Sequence, residues 1–131
     1  MMSGKISYKS KTCTQNIAAV RDTLYVVSGK WKLPIIIALN DGPLRFKDLQ
    51  RTLEAITPKI LSKELKELEL NEFVTRTVYA TSPVTVEYAL TRYSNSLNKI
   101  ISEMRDWGMQ HRKRIMTSSR KNKTTRELQK P

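Results

Sequence analysis

The chain has 131 residues, the size of one domain, and its 39% hydrophobic and 27% charged residues suit a soluble globular fold with a modest core. Lys and Arg number 24 against 12 Asp and Glu, a net charge of +12, which calls for an anionic partner: nucleic acid first, then an acidic membrane surface, then an acidic protein. The longest purely apolar run, residues 35–39, is too short to span a bilayer, and residues 1–12 lack the apolar stretch of a secretory signal.

Residues 1–12 carry Lys5, Lys9 and Lys11 without an acid and are expected to form a flexible basic arm. In residues 16–27, Ile17, Val20, Leu24 and Val27 recur every three or four positions, one face of a helix that Ser28-Gly29 should end. A second helix should begin at residue 30 or 31, with Pro34 in its first turn, and stop at Asn40-Asp41-Gly42-Pro43. Apolar nearly all round, it belongs at the centre of the core. A short helix over 45–53 follows, with Phe46, Leu49 and Leu53 on one side.

The next helix, about 57–71, opens on Thr57 as N-cap and Pro58 at its first position. Leu61, Leu65 and Leu68 must face inward, which puts Lys59, Lys63 and Lys66 near the opposite side with Ser62 on a flank. Such a stripe can be a solvated face or a surface for phosphate. Residues 73–79 and 84–90 then alternate with period two around a turn at 80–83, a hairpin. Ser94 or Ser96 should cap the last helix, which carries Leu97, Ile100, Ile101, Met104 and Trp107 and continues into His111-Arg112-Lys113-Arg114. Residues 117–131 add +4 with one large apolar residue, Leu128, and read as a disordered basic tail. Residues 13–116 still carry +5 without either end.

A short helix, a tight connection and a longer helix with a polar outward stripe make a helix-turn-helix, and a hairpin directly after it makes the wing. The expected class is α+β, mostly α: a winged helix-turn-helix with additional N- and C-terminal dimerisation helices. Ser28-Gly29-Lys30-Trp31, Gly42-Pro43-Leu44-Arg45-Phe46-Lys47-Asp48-Leu49 and residues 56–68, followed by Val86-Glu87-Tyr88-Ala89-Leu90-Thr91 and Trp107-Gly108, resemble the HxlR family of bacterial winged-helix transcription regulators. The resemblance spans about residues 13–110. It implies a homodimer paired through its first and last helices, each subunit offering one recognition helix to a half-site of double-stranded DNA.

Three departures stand out: Glu72 and Ser94 replace residues that are usually glycine, and Thr14 replaces the proline that usually follows the cysteine. Asn71 is the residue expected to take the left-handed backbone at the end of the recognition helix. The change at Thr14 leaves membership of any cysteine-sensing subgroup open.

The residues expected at DNA are Arg45, Lys47, Thr57, Lys59, Ser62, Lys63, Lys66 and Arg76. With no Arg, Asn or Gln on the stripe, phosphate contact and DNA shape should supply much of the affinity. Ile17, Leu24, Leu97, Ile101, Met104 and Trp107 are the candidates for the dimer interface, since the last helix has no obvious partner in the chain. Cys13, which the resemblance places just before the first helix, is the redox-sensing candidate; Lys9, Lys11 and a helix start would favour its thiolate. As the lone cysteine it makes no internal disulfide, which points to the cytoplasm. With the single His111 it cannot build a structural zinc site, and no cofactor is expected. No nucleophile–base pair or Gly-rich phosphate loop suggests an enzyme. The alternatives to DNA-binding regulation are a winged helix used for protein contact and a regulator switched through Cys13.

Overall fold

A computed structural model describes the backbone of residues 11–128 and the side chains of residues 11–120. The expected basic arm lies outside these residues but for its last two positions. The chain divides into two units, residues 1–94 and residues 95–131.

The first unit opens with α1 (Lys11–Val27) and α2 (Lys32–Ala38), a 3-10 turn at Leu39–Asp41 and a two-residue strand β1 (Leu44–Arg45). Helices α3 (Phe46–Leu53) and α4 (Pro58–Leu70) follow, then strands β2 (Val74–Tyr79) and β3 (Thr85–Leu90). The sheet is antiparallel with order β1-β3-β2, Leu44 opposite Tyr88, and Arg76 opposite the same Tyr88 from the other edge. Helix α2 packs on both α3 and α4, and α4 in turn on β2. Ile35, Leu39, Leu49, Leu61, Leu65, Leu68 and Val74 are fully buried at this junction. The winged helix-turn-helix is the fold observed.

Several local expectations change. Helix α1 is already formed at Lys11, so Cys13 lies within the helix rather than before it. Helix α2 is apolar but not buried all round, for Ile37 is exposed while Lys32 is buried. Arg45 does not open α3; it pairs in β1 and holds an extended backbone at the helix N-cap. The left-handed residue after α4 is Glu72 (φ 65°) and not Asn71 (φ −89°). Glu72 N–H donates to the Glu69 carbonyl (3.0 Å) and Phe73 N–H to the Leu68 carbonyl (3.0 Å), the paired bonds that close a helix through one left-handed position. Asn71 instead turns its amide back onto the Glu67 carbonyl (3.1 Å).

Ser94 does not cap the last helix either. It is buried, its hydroxyl donates to the Thr91 carbonyl (2.6 Å), and its N–H donates to the Thr91 hydroxyl (3.2 Å). A 3-10 segment, Tyr93–Leu97, leads into α5 (Asn98–Leu128), the second unit's long helix. Residues 117–128, expected to be an unstructured tail, continue this helix. No Gly or Pro occurs from 109 to 128 to stop it.

Candidate nucleic-acid interface

Helix α4 is set by its ends and its leucines. Thr57 Oγ1 accepts from the Ile60 N–H (3.3 Å), and Pro58 occupies the first helical position, so one of the helix's unpaired N–H groups is satisfied and the start is fixed. Leu61, Leu65 and Leu68 are buried, which fixes the roll of the helix. As a result Lys59, Ser62, Lys63 and Lys66 are all exposed. Glu69 is exposed as well, but Glu64 and Glu67 are turned towards α2.

There they meet Lys32. Its Nζ lies 2.7 Å from Glu64 Oε2 and 2.5 Å from Glu67 Oε2, and its side chain is only 7% exposed against 12% for Glu64 and 39% for Glu67. Burial by itself would lower the pKa of Lys32, but hydrogen bonds and charge from the two carboxylates outweigh it and hold the ammonium above its ordinary value. The hydrogen bond from Lys32 holds Glu67 below the usual carboxylate range; burial opposes this and the charges of Lys32 and Lys63 reinforce it. Two of the acids that could dilute the lysine stripe are therefore turned inward onto one ammonium, which offsets one of their two charges. Lys32 was not among the residues singled out from the sequence. The signal was a lone lysine in an apolar helix, with two glutamates three positions apart on the stripe helix.

Arg45 and Lys47 are exposed and line a shallow cleft with Arg51 and the Pro83–Val86 end of the hairpin. Asp48 faces Arg51 at 3.7 Å rather than Arg45; Glu87 is the residue opposite Arg45 in the sheet. Arg76 is exposed but opposite Tyr88, so strand alternation puts it on the other face of the sheet from Arg45 and Glu87. The wing tip carries no cation, and Thr81 closes it by donating to the Pro83 carbonyl (2.8 Å). Arg45 and Lys47 are thus brought together at the wing while Arg76 is not grouped with them.

Of the six residues expected at a dimer interface, Leu97 is already 6% exposed within a single chain and has little surface to offer. Ile17, Leu24, Met104 and Trp107 are all exposed, and Ile101 is partly so. The Trp107 ring stacks on His111 one turn along α5. Cys13 is buried at 5% exposure. Among the described residues no cluster of three or more His, Cys, Asp or Glu side chains could hold a metal ion, and no helix is long and apolar enough to cross a membrane.

Known proteins share this arrangement. The family model for the HxlR-like helix-turn-helix matches residues 26–116. An uncharacterized HTH-type transcriptional regulator of Halalkalibacterium halodurans is 41% identical over 105 residues, 79% of this chain and 93% of its own. The redox regulator HypR in its reduced form superposes with a TM-score of 0.71 at 36% identity, covering 76% of this chain and 98% of that one. The reduced transcriptional regulator YodB of Bacillus subtilis gives 0.63 at 38% identity, covering 70% and 91%. This chain belongs to the HxlR-like helix-turn-helix family.

Proposed function

We propose that the protein is a sequence-specific DNA-binding transcription regulator that acts as a homodimer in the cytoplasm, with α4 in the major groove and the β2–β3 hairpin as wing. The observation that carries this reading is the exposed stripe of Lys59, Ser62, Lys63 and Lys66 on the second helix of the pair, with Glu64 and Glu67 drawn inward to share Lys32. A major groove admits such a helix. Lysines neutralise phosphate or donate to guanine edges as single donors, so phosphate and shape carry much of the affinity. The Thr57 hydroxyl still has its proton to offer a phosphate while it accepts from Ile60. Arg45 and Lys47 contact the backbone from the cleft beside the wing, and Arg76 makes a lesser contact from the hairpin's other face.

Exposed apolar side chains support the dimer. Ile17 and Leu24 on α1, and Met104 and Trp107 on α5, are each about half exposed or more, and a symmetric partner is the economical cover for such stripes. Redox switching through Cys13 is a sub-case of the same function, favoured by the likeness to the redox regulator HypR. The burial of Cys13 requires that α1 shift or open before an oxidant reaches the thiol.

The test is the double variant Lys59→Ala, Lys63→Ala in gel-shift titrations at moderate salt. Both side chains are exposed, so folding should be kept while DNA affinity falls. Unaltered binding would remove α4 from the interface and favour a winged helix that contacts protein.

A further inference from the structure

Between Asp106 and Glu127 the chain has no acidic residue and seven Lys or Arg: Arg112, Lys113, Arg114, Arg120, Lys121, Lys123 and Arg126. All seven fall within α5. Seven charges over fifteen helical residues is about one per 3 Å of helix axis at ~1.5 Å rise per residue. Arg112, Lys113 and Arg120 line one shallow groove with Met109, Met116 and Thr117. At about 100° per residue this groove lies on the opposite side of α5 from Met104, Trp107 and His111. Arg112, Lys113 and Arg120 thus form a basic face opposite Met104 and Trp107, whereas Arg114 lies with Trp107 and His111 on the other side.

We infer that this basic face of α5 is a second anion-binding surface, which lies along duplex DNA and contacts phosphates without reading bases. The inference rests on the DNA-binding reading and extends it to a part of the chain that the helix-turn-helix does not use. One feature favours duplex DNA over an anionic membrane. The basic groove holds only Met109 and Met116 as apolar side chains, and residues 117–127 contain none, too little to insert below lipid headgroups.

The experiment compares the full chain with Arg112→Gln, Lys113→Gln, Arg120→Gln on two duplexes, the best site from a selection and a scrambled one of equal length. Binding is followed by fluorescence anisotropy from 50 to 200 mM salt. If each of the three cations releases a counterion, the slope of log affinity against log salt becomes shallower by about 2.7 per protomer. Over that range the parent then loses about 40-fold more affinity than the variant for each protomer that engages the duplex. Both duplexes should weaken alike, so the ratio between them is kept. Arg112→Lys, Arg120→Lys, which preserves charge, should retain the parent slope and guards against a folding artefact.

Equal slopes for parent and Gln variant on both duplexes overturn the inference. So does loss of binding to phosphatidylserine vesicles by the Gln variant with its DNA slopes unchanged, which would assign the face to membrane. Lys59→Gln, Lys63→Gln separates the two readings, for it should narrow the ratio between duplexes. If that ratio is unmoved while the α5 variant flattens the slope, the recognition-helix assignment fails and the α5 surface stands.

Discussion

Lys32→Met is the most informative single substitution because it removes a cation that two carboxylates share. Methionine has nearly the volume and shape of the lysine stem, so packing between α2 and α4 is kept and the charge alone is lost. What remains is Glu64, 12% exposed, and Glu67, 39% exposed, side by side on one turn of α4 with no ammonium between them. Removing one partner of a buried ion pair costs about 3–5 kcal/mol. Glu67 can turn to water, which places this case at the lower end, about 3 kcal/mol. With a urea dependence of about 2 kcal/mol/M, the unfolding midpoint should fall by about 1.5 M.

The triple variant Lys32→Met, Glu64→Gln, Glu67→Gln removes the stranded charges as well and should recover most of that loss. Equilibrium urea denaturation followed by circular dichroism measures all three proteins. A Lys32→Met protein within about 0.5 kcal/mol of the parent, or a triple variant less stable than Lys32→Met, would refute the claim that Lys32 stabilises these two carboxylates.

Further outcomes follow from the same geometry. Glu72→Gly should stabilise the fold by up to about 1 kcal/mol, because a left-handed backbone costs an L-residue about 1–2 kcal/mol and glycine's extra unfolded-state freedom returns part of it; a lower denaturation midpoint would contradict the strain at φ 65°. Glu67 is held below its ordinary value of 4.5, chiefly by its hydrogen bond from Lys32, so its contribution is present above that value and lost as pH falls through the depressed one. The stability difference between the parent and Glu67→Gln should be constant from about pH 6 to 9 and shrink below about pH 4.5. A difference that grows on acidification would reverse the sign of the coupling. Leu24→Lys, Met104→Lys should shift sedimentation equilibrium from dimer towards monomer, and an unchanged mass would move the subunit contact elsewhere.

Much of the domain was legible in order because its signals are local. Thr57-Pro58 marks the start of α4 by cap chemistry, and the leucines at 61, 65 and 68 fix its inward face by period alone. The hairpin showed itself as two alternating runs around a turn containing Pro83. What escaped was set by distant partners. The buried lysine of α2 makes sense only beside Glu64 and Glu67, 32 and 35 positions away. β1 is two residues long and exists because β3 offers it an edge. The left-handed position fell on Glu72 rather than Asn71 because the closing bonds run to Leu68 and Glu69, one register step from where residue preference alone points. On α5 no apolar stripe continues after residue 116, yet a helix already nucleated adds residues at far lower cost than it starts.

The interface was partly legible for the same reason. Exposure of Lys59, Ser62, Lys63 and Lys66 follows from the leucine period. Arg76 is expected at DNA as a residue of the hairpin, and its pairing with Tyr88 assigns it to the other sheet face from Arg45. Leu97 reads as part of an apolar helix face, whereas it ends the 3-10 segment before α5 and is buried.

The central claim is that a symmetric pair of these chains reads DNA through α4. Selection from a random duplex pool with purified, reduced protein at near-physiological salt tests it most directly. The account predicts an enriched inverted repeat whose half-site centres lie about one helical turn, ~34–36 Å, apart. A pool that emerges without a shared motif, with binding that vanishes as salt rises, would show that the +12 charge attracts DNA without recognising it.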